Sequence, residues 1–268
     1  MNCPNCATNR TLLLNSSTSL GYQQFRCREC SKQFNKRTGT VYNFLEYPTD
    51  VVMLTVFYYY RFKNSLVDVV EHMALRGINL SHETVRLWSQ RIGTDMALKM
   101  RSLRRGNCHR KWHMDVTYLK VKGYDMYLYR AIDKEGNLID VYLSDTRDKK
   151  AAEAFFKSCE ATTGIHPSQI TTDKEPAFPN AIKNALGGDV KHRDSKYMNN
   201  VMEQSHRGIK SRYKPMKGFK DSWCAMIFCT VFEEIKQFFR MRNKSQSQGR
   251  QCFAPRFQEF EKMAGLKT

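Results

Sequence analysis

A chain of 268 residues with 41% hydrophobic and 12% aromatic content can bury a substantial core and divide into more than one domain. Its 44 Lys and Arg against 26 Asp and Glu leave a formal charge of +18, which calls for a polyanionic partner. A membrane surface is the competing polyanion. However, no secretory leader opens the sequence, and the best apolar run, Trp223 to Phe232, passes straight into Glu233 and Glu234 and reads as a buried helix.

Nine cysteines without a leader indicate a reducing compartment, the cytoplasm, and thiols or thiolate ligands in place of a disulfide framework. Four of them form two CxxC knuckles, Cys3/Cys6 and Cys27/Cys30, joined by a segment suited to a hairpin. Four thiolates in tetrahedral array are a closed structural zinc site, so residues 1–45 read as a zinc ribbon. A redox CxxC is the competing reading, and it would need one pair and a βαβ setting. Arg26, Arg28, Lys32, Lys36 and Arg37 form a basic face, for phosphate or for solvent.

Residues 46–98 read as three helices. Asp50 to Arg61 suits a buried first helix, and Ser65 opens a second with Asp68 three residues on, stopping near Gly77. Ser81 caps a third, in which Val85, Trp88 and Ile92 share a face. A short glycine-containing turn between the last two fits a helix-turn-helix that offers His82, Glu83, Arg86 and Gln90 to DNA; a plain helical packing domain is the alternative. Residues 99–111 contain no acid and read as a basic linker in which Arg104 and Arg105 track phosphates.

From Trp112 the pattern becomes that of strands. WHMDVTYLKV alternates, with Trp112, Met114, Val116 and Tyr118 on one face and His113, Asp115 and Thr117 on the other. Turns at KGYD and DKEGN link it to two further antiparallel strands, and Asp133 in the second turn is assigned turn chemistry only. A helix from Asp148, a strand from Ser168 to Asp173, a helix over Pro179 to Leu186, a short strand around Val190 and a long helix from Asn199 follow.

Three acids in this stretch are out of place as surface charges. Asp115 and Asp173 close apolar or β-branched runs, and Glu203 lies in a polar helical pattern. A buried strand-end acid costs several kcal/mol unless a cation meets it. Divalent ions bound through oxygen alone, Mg²⁺ or Mn²⁺, are the natural neutralisers. Two such ions roughly 4 Å apart serve in-line phosphoryl displacement, so a basic protein with this site cuts or joins nucleic acid.

The motifs WHMDVTYLK, YLYRAID, TTDKEPAF, KYMNNVMEQSHRGIK and KGFK, in that order, resemble the DDE transposases of bacterial insertion sequences, and with the preceding helices the match extends from about Tyr47 to Arg242. These belong to the retroviral integrase superfamily, and the nearest group is insertion sequence family six. The resemblance implies an α/β (α+β) fold with a ribonuclease-H-like catalytic core over 112–242 and a tail, of flexible composition, over 243–268. It implies Asp115, Asp173 and Glu203 as the catalytic, magnesium-binding triad, acting on terminal inverted repeats and target DNA within a homodimer or larger synaptic assembly. Arg207, Lys210 and Lys214 follow Glu203 in an acid-free run and read as phosphate contacts, with Arg207 and Lys210 on the Glu203 face of a helix. His206 adjoins that face, as a positioning group or a plain histidine. The interval from Asp173 to Glu203 is a few residues shorter than the family's, a loss placed near Gly187 and Gly188. A regulator with a retired core and a nonspecific nuclease are the rival readings.

Overall fold

A computed structural model describes residues 1–194, 200–213, 216, 218–241 and 245–265, the side chains of 200–205 and 246 excepted. The chain divides into two compact units, one of residues 1–59, 66–96 and 241–268, the other of residues 60–65 and 97–240.

The first unit opens with a three-stranded antiparallel sheet, β1 (Thr11–Ser17), β2 (Gln23–Cys27) and β3 (Gln33–Phe34). Its apolar core is small: Cys3, Cys27 and Phe34, with Phe25 stacked on Phe34. Arg37, expected on a basic face, is turned inward. Its guanidinium donates to the carbonyls of Tyr42, Leu45 and Tyr47 and pins the following loop. Helices α1 (Thr49–Arg61), α2 (Leu66–Ala74) and α3 (His82–Leu103) come next. Val69, Met73 and Val85 are buried among Val51, Leu54 and Tyr58 of α1. Gly77, at φ +72, closes α2, and the Ser81 hydroxyl caps α3 by accepting from the N–H of Thr84 at 3.0 Å.

Beyond residue 244 the structure departs from a tail of flexible composition. Helices α8 (Gln246–Gln251) and α9 (Phe253–Lys262) set Phe253, Phe257 and Phe260 around Phe57 at centroid distances of 5.8, 4.9 and 5.9 Å. Polar composition masked an i, i+4, i+7 aromatic stripe that needs a partner.

In the second unit β4 (Lys111–Val121), β5 (Tyr124–Asp133) and β6 (Leu138–Ser144) form an antiparallel meander. The α4 helix (Lys149–Thr163) then crosses to β7 (Gln169–Thr172), which pairs parallel to β4; α5 (Ala177–Leu186) leads to β8 (Lys191–Asp194), parallel to β7. The sheet order is β6-β5-β4-β7-β8. Asp148 caps α4 by accepting from the N–H of Ala151, and Gly164, at φ +66, ends it. One face of the sheet buries Trp112, Met114, Tyr129 and Ile170 against Phe155 and Phe156 of α4 and Phe178 and Ile182 of α5. The other face meets α6 (Asn200–Tyr213) and α7 (Ser222–Phe238).

The expected basic arm is mostly structured: α3 runs on to Leu103, and residues from 97 onward belong to the second unit, within which Arg101 and Arg104 find their partners. Arg104 donates to Glu234 at 2.7 and 2.8 Å and to the carbonyls of Leu138 and Ile139 on edge strand β6. Arg101 joins Glu234 to the fully buried Asp140, which also accepts from Ser158 and Thr162 of α4. These bonds cover an otherwise open sheet edge. Asp133 is the turn residue expected, accepting from the N–H groups of His109, Glu135 and Asn137.

Candidate active site and metal centre

The parallel pairing of β4 with β7 sets Asp115, midway along β4, in line with Asp173, which directly follows β7. His113 is in register with Thr171, and Asp115 and Asp173 each lie two residues further on. Asp173 therefore lies at the carboxyl end of β7, where ligands bind in sheets of this kind, with Asp115 alongside on β4. Asp115 faces the α6/α7 side. Its Oδ1 accepts from the N–H of Val116 at 2.8 Å, and its Oδ2 lies 3.7 Å from Nε2 of His206 on α6. Arg130 stands across the β4–β5 ladder from Asp115 and is bound to Glu233 of α7 at 2.8 Å.

Asp173 follows the last residue of β7. The Thr172 hydroxyl bridges the Asp173 carbonyl and His192 of β8, fixing the strand end. Arg147, in the loop before α4, lies 3.2 Å from Asp173 Oδ2 and 2.9 Å from Glu175 Oε2. Glu203 falls in the first turn of α6, so the backbone places it on the helix that meets β4; its side chain lies outside the described residues. Tyr197 and Asn199, part of the same motif, also lie outside them.

The electrostatics around Asp115 are unusual. His206 is 3% exposed, and burial first, then Arg130, Lys210 and Lys236, push its pKa down to about 3. Its contact with Asp115 at neutral pH is that of an uncharged ring, not an ion pair. Burial likewise lowers the pKa of His113, the next residue along that face.

The expected DNA-contacting cations divide. Arg207 and Lys210 are exposed on α6, and Arg105 is exposed beyond α3; Lys214 lies outside the described residues. Arg86 is bonded to Glu83 at 2.8 Å and to Gln90 at 3.3 Å along α3. Arg104 is 12% exposed and its guanidinium is spent on Glu234 and the β6 edge, which corrects the expectation of a phosphate contact there. Arg212, in the same basic run as Lys210, is also turned inward, onto the carbonyl of Asn64 and the ring of Phe228. The acid-free run alone could not separate these cases, because their partners are far away in sequence. Arg130 and Arg147 went unnoticed for the same reason; counting the β4–β5 register back from the KGYD turn would have found Arg130.

In the ribbon, the sulfurs of Cys3, Cys6, Cys27 and Cys30 all lie within 4.8 Å of one another. The Cys3–Cys30 and Cys6–Cys27 separations are 3.6 and 3.5 Å, close to the edge of roughly 3.8 Å of a tetrahedron with Zn–S bonds of about 2.3 Å. The N–H of Cys30 points at Cys27 Sγ at 3.4 Å. The Cys30 thiol is lowered to about 6, first through the backbone N–H of Lys32. The quartet fits a tetrahedral, thiolate-binding metal.

A meander, a crossover helix, two parallel strands, an acid within β4 and another just after its parallel neighbour β7 define a ribonuclease-H-like polynucleotidyl transferase core. Residues 109–242 match the family model described as a DDE domain. The transposase for insertion sequence-like element IS431mec of Staphylococcus aureus strain Mu50 is 36% identical over 185 residues, 68% of this chain and 76% of that one. The transposase of element IS257 in transposon Tn4003, also from Staphylococcus aureus, matches to the same extent. Among solved structures, the HTLV-2 integrase catalytic core domain in complex with magnesium (dimeric form) is 21% identical. It covers 54% of this chain and 98% of its own, with a TM-score of 0.38. The chain belongs to the DDE transposases of insertion sequences, in family six.

Proposed function

We propose that Asp115, Asp173 and Glu203 form one carboxylate site for Mg²⁺ or Mn²⁺, at which this transposase cuts the ends of its element and joins the freed 3′-hydroxyls to target DNA. The observation that supports the reading is the parallel β4–β7 register, which aligns Asp115 on β4 with Asp173 after β7. The donor set fits the ion: hard oxygen ligands favour hard divalent cations, and the Arg147–Asp173 ion pair is in keeping with it. Divalent ions held there supply activation of the attacking oxygen and stabilisation of the leaving one. Cleavage by water and joining by a 3′-hydroxyl are the same displacement at phosphorus with different nucleophiles, so one site serves both.

The protein's own residues bind and align the DNA. Exposed Arg207 and Lys210, one and two turns beyond Glu203, grip phosphates flanking the scissile bond, and exposed Arg105 is a separate phosphate contact. Arg86 and Gln90 on α3 read the terminal inverted repeats, and a zinc ion held by the four cysteines stiffens the ribbon. Two ends must be held together for joining, so the working form is a dimer or larger synaptic assembly.

Strand transfer on duplexes carrying the element's terminal repeat tests this reading. Wild type acts in Mg²⁺, and Asp115→Asn, Asp173→Asn and Glu203→Gln each abolish activity without unfolding the protein. Equal activity in any of these variants removes that residue from the site, and cutting that ignores the end sequence shows a nonspecific nuclease instead.

A further inference from the structure

His206 is an expensive residue for its position. Its side chain is 4% exposed, and among the described residues neither ring nitrogen makes a hydrogen bond. Leaving a buried polar atom unsatisfied is destabilising, and an apolar side chain of similar shape would avoid this. The approach to Asp115 Oδ2, at 3.7 Å, is about 0.8 Å longer than an ordinary N–H···O bond. It joins α6, one turn beyond Glu203, to the strand that bears Asp115.

We infer that His206 is a positioning residue that donates from Nε2 to Asp115 Oδ2, orienting this carboxylate and setting the Glu203 helix at its level. The inference rests on Asp115 being a metal ligand, as proposed above. A small movement of the carboxylate closes the contact to a hydrogen bond. The tautomer follows from the neighbours: a carboxylate oxygen only accepts, so Nε2 carries the proton. The other charges around the ring, Arg130, Lys210 and Lys236, are cations and leave Nδ1 as the acceptor. A donor attached to a ligating carboxylate fixes which lone pairs face the ion, and losing such a partner costs about 10–100-fold in metal affinity or activity.

Substitutions of graded reach test the assignment in the full-length protein, with Mn²⁺ binding followed by calorimetry beside strand transfer. The amide of Gln places its nitrogen near Nε2, and that of Asn near Nδ1. Expected is Mn²⁺ affinity within a few-fold of wild type for His206→Gln, and a loss of about 10–100-fold for His206→Asn and His206→Leu. His206→Leu removes the unsatisfied ring, so its urea midpoint is at or above that of wild type while its Mn²⁺ affinity falls, an outcome that a purely structural role does not give. Gln as damaging as Asn overturns the inference, since it makes the ring itself a ligand. Wild-type Mn²⁺ binding in all three variants overturns it as well. Asp115→Asn separates the two readings: if it binds Mn²⁺ as wild type does, the carboxylate site fails, whereas if it loses binding and the His206 variants do not, only the positioning role fails.

Discussion

Arg130 lies directly across the β4–β5 ladder from Asp115, yet its guanidinium is anchored to Glu233 at 2.8 Å. Both members of the pair are nearly sealed from water, Arg130 at 3% and Glu233 at 1% exposure. Glu233 thus holds on the helix side a cation that would otherwise turn to the nearest carboxylate across the ladder. Removing one member strands the other as a buried charge, at a cost of about 3–5 kcal/mol. Glu233→Ala is therefore expected to lower the urea midpoint sharply, and an Arg130→Met, Glu233→Leu double variant to recover most of the loss. A single variant as stable as wild type would show the pair to be solvated.

Arg104 and Arg207 should separate stability from DNA binding. Arg104 is committed to Glu234 and to two edge carbonyls, so Arg104→Ala should destabilise the protein by at least about 1–3 kcal/mol and leave the salt dependence of DNA binding unchanged. Arg207→Ala should do the reverse: an unchanged denaturation midpoint, and a slope of log K against log salt reduced by about 0.9 for one lost phosphate contact. Fluorescence anisotropy over a salt series, beside urea melts, gives both numbers. A change of slope on removing Arg104 would return it to the DNA surface.

Elements and strand faces were legible in the chain because they depend on local pattern. The alternation from Trp112 and the Ser81 cap fall where periodicity and capping chemistry place them. The alignment of Asp115 with Asp173 follows from strand order, but Asp115 lies inside β4 and does not close the strand as its run of residues suggests. What stayed hidden was the pairing of charges across long separations. Arg104 meets Glu234, and Arg212 meets the Asn64 carbonyl, through tertiary packing alone. The aromatic stripe of α9 was obscured by the polar residues between Phe253, Phe257 and Phe260.

His166 provides a pH-dependent clasp in the second unit. Its Nδ1 lies 2.7 Å from Glu160 of α4 and its Nε2 3.1 Å from Asp189, while Arg110 donates to its carbonyl. The bond to Glu160, opposed by slight burial and helped by Asp189, raises its pKa above the ordinary value. A folded-state pKa above the unfolded one means that the clasp contributes fully below the unfolded value of about 6.5 and is lost as pH rises through the folded value. The gap in urea midpoint between wild type and His166→Gln should be widest below the unfolded value of about 6.5 and should close as pH rises through the folded value. A gap that widens with pH would refute the assignment.

The ribbon should depend on its metal more than any other part of the chain. Cys3, Cys27 and Phe34 are the buried apolar residues it assembles, too few to offset the entropy of ordering its three strands. One zinc per chain is expected by atomic emission, with Cys27→Ser reducing that content. Stripping the metal with a chelator should abolish amide protection across β1 and β2 while strands β4 to β6 keep theirs, since binding energy there is folding energy. Hydrogen exchange read by mass spectrometry separates the two regions in one measurement. Metal-free protein with full protection across β1 and β2 would show that the hairpin stands on its own packing and that the four thiols are spectators.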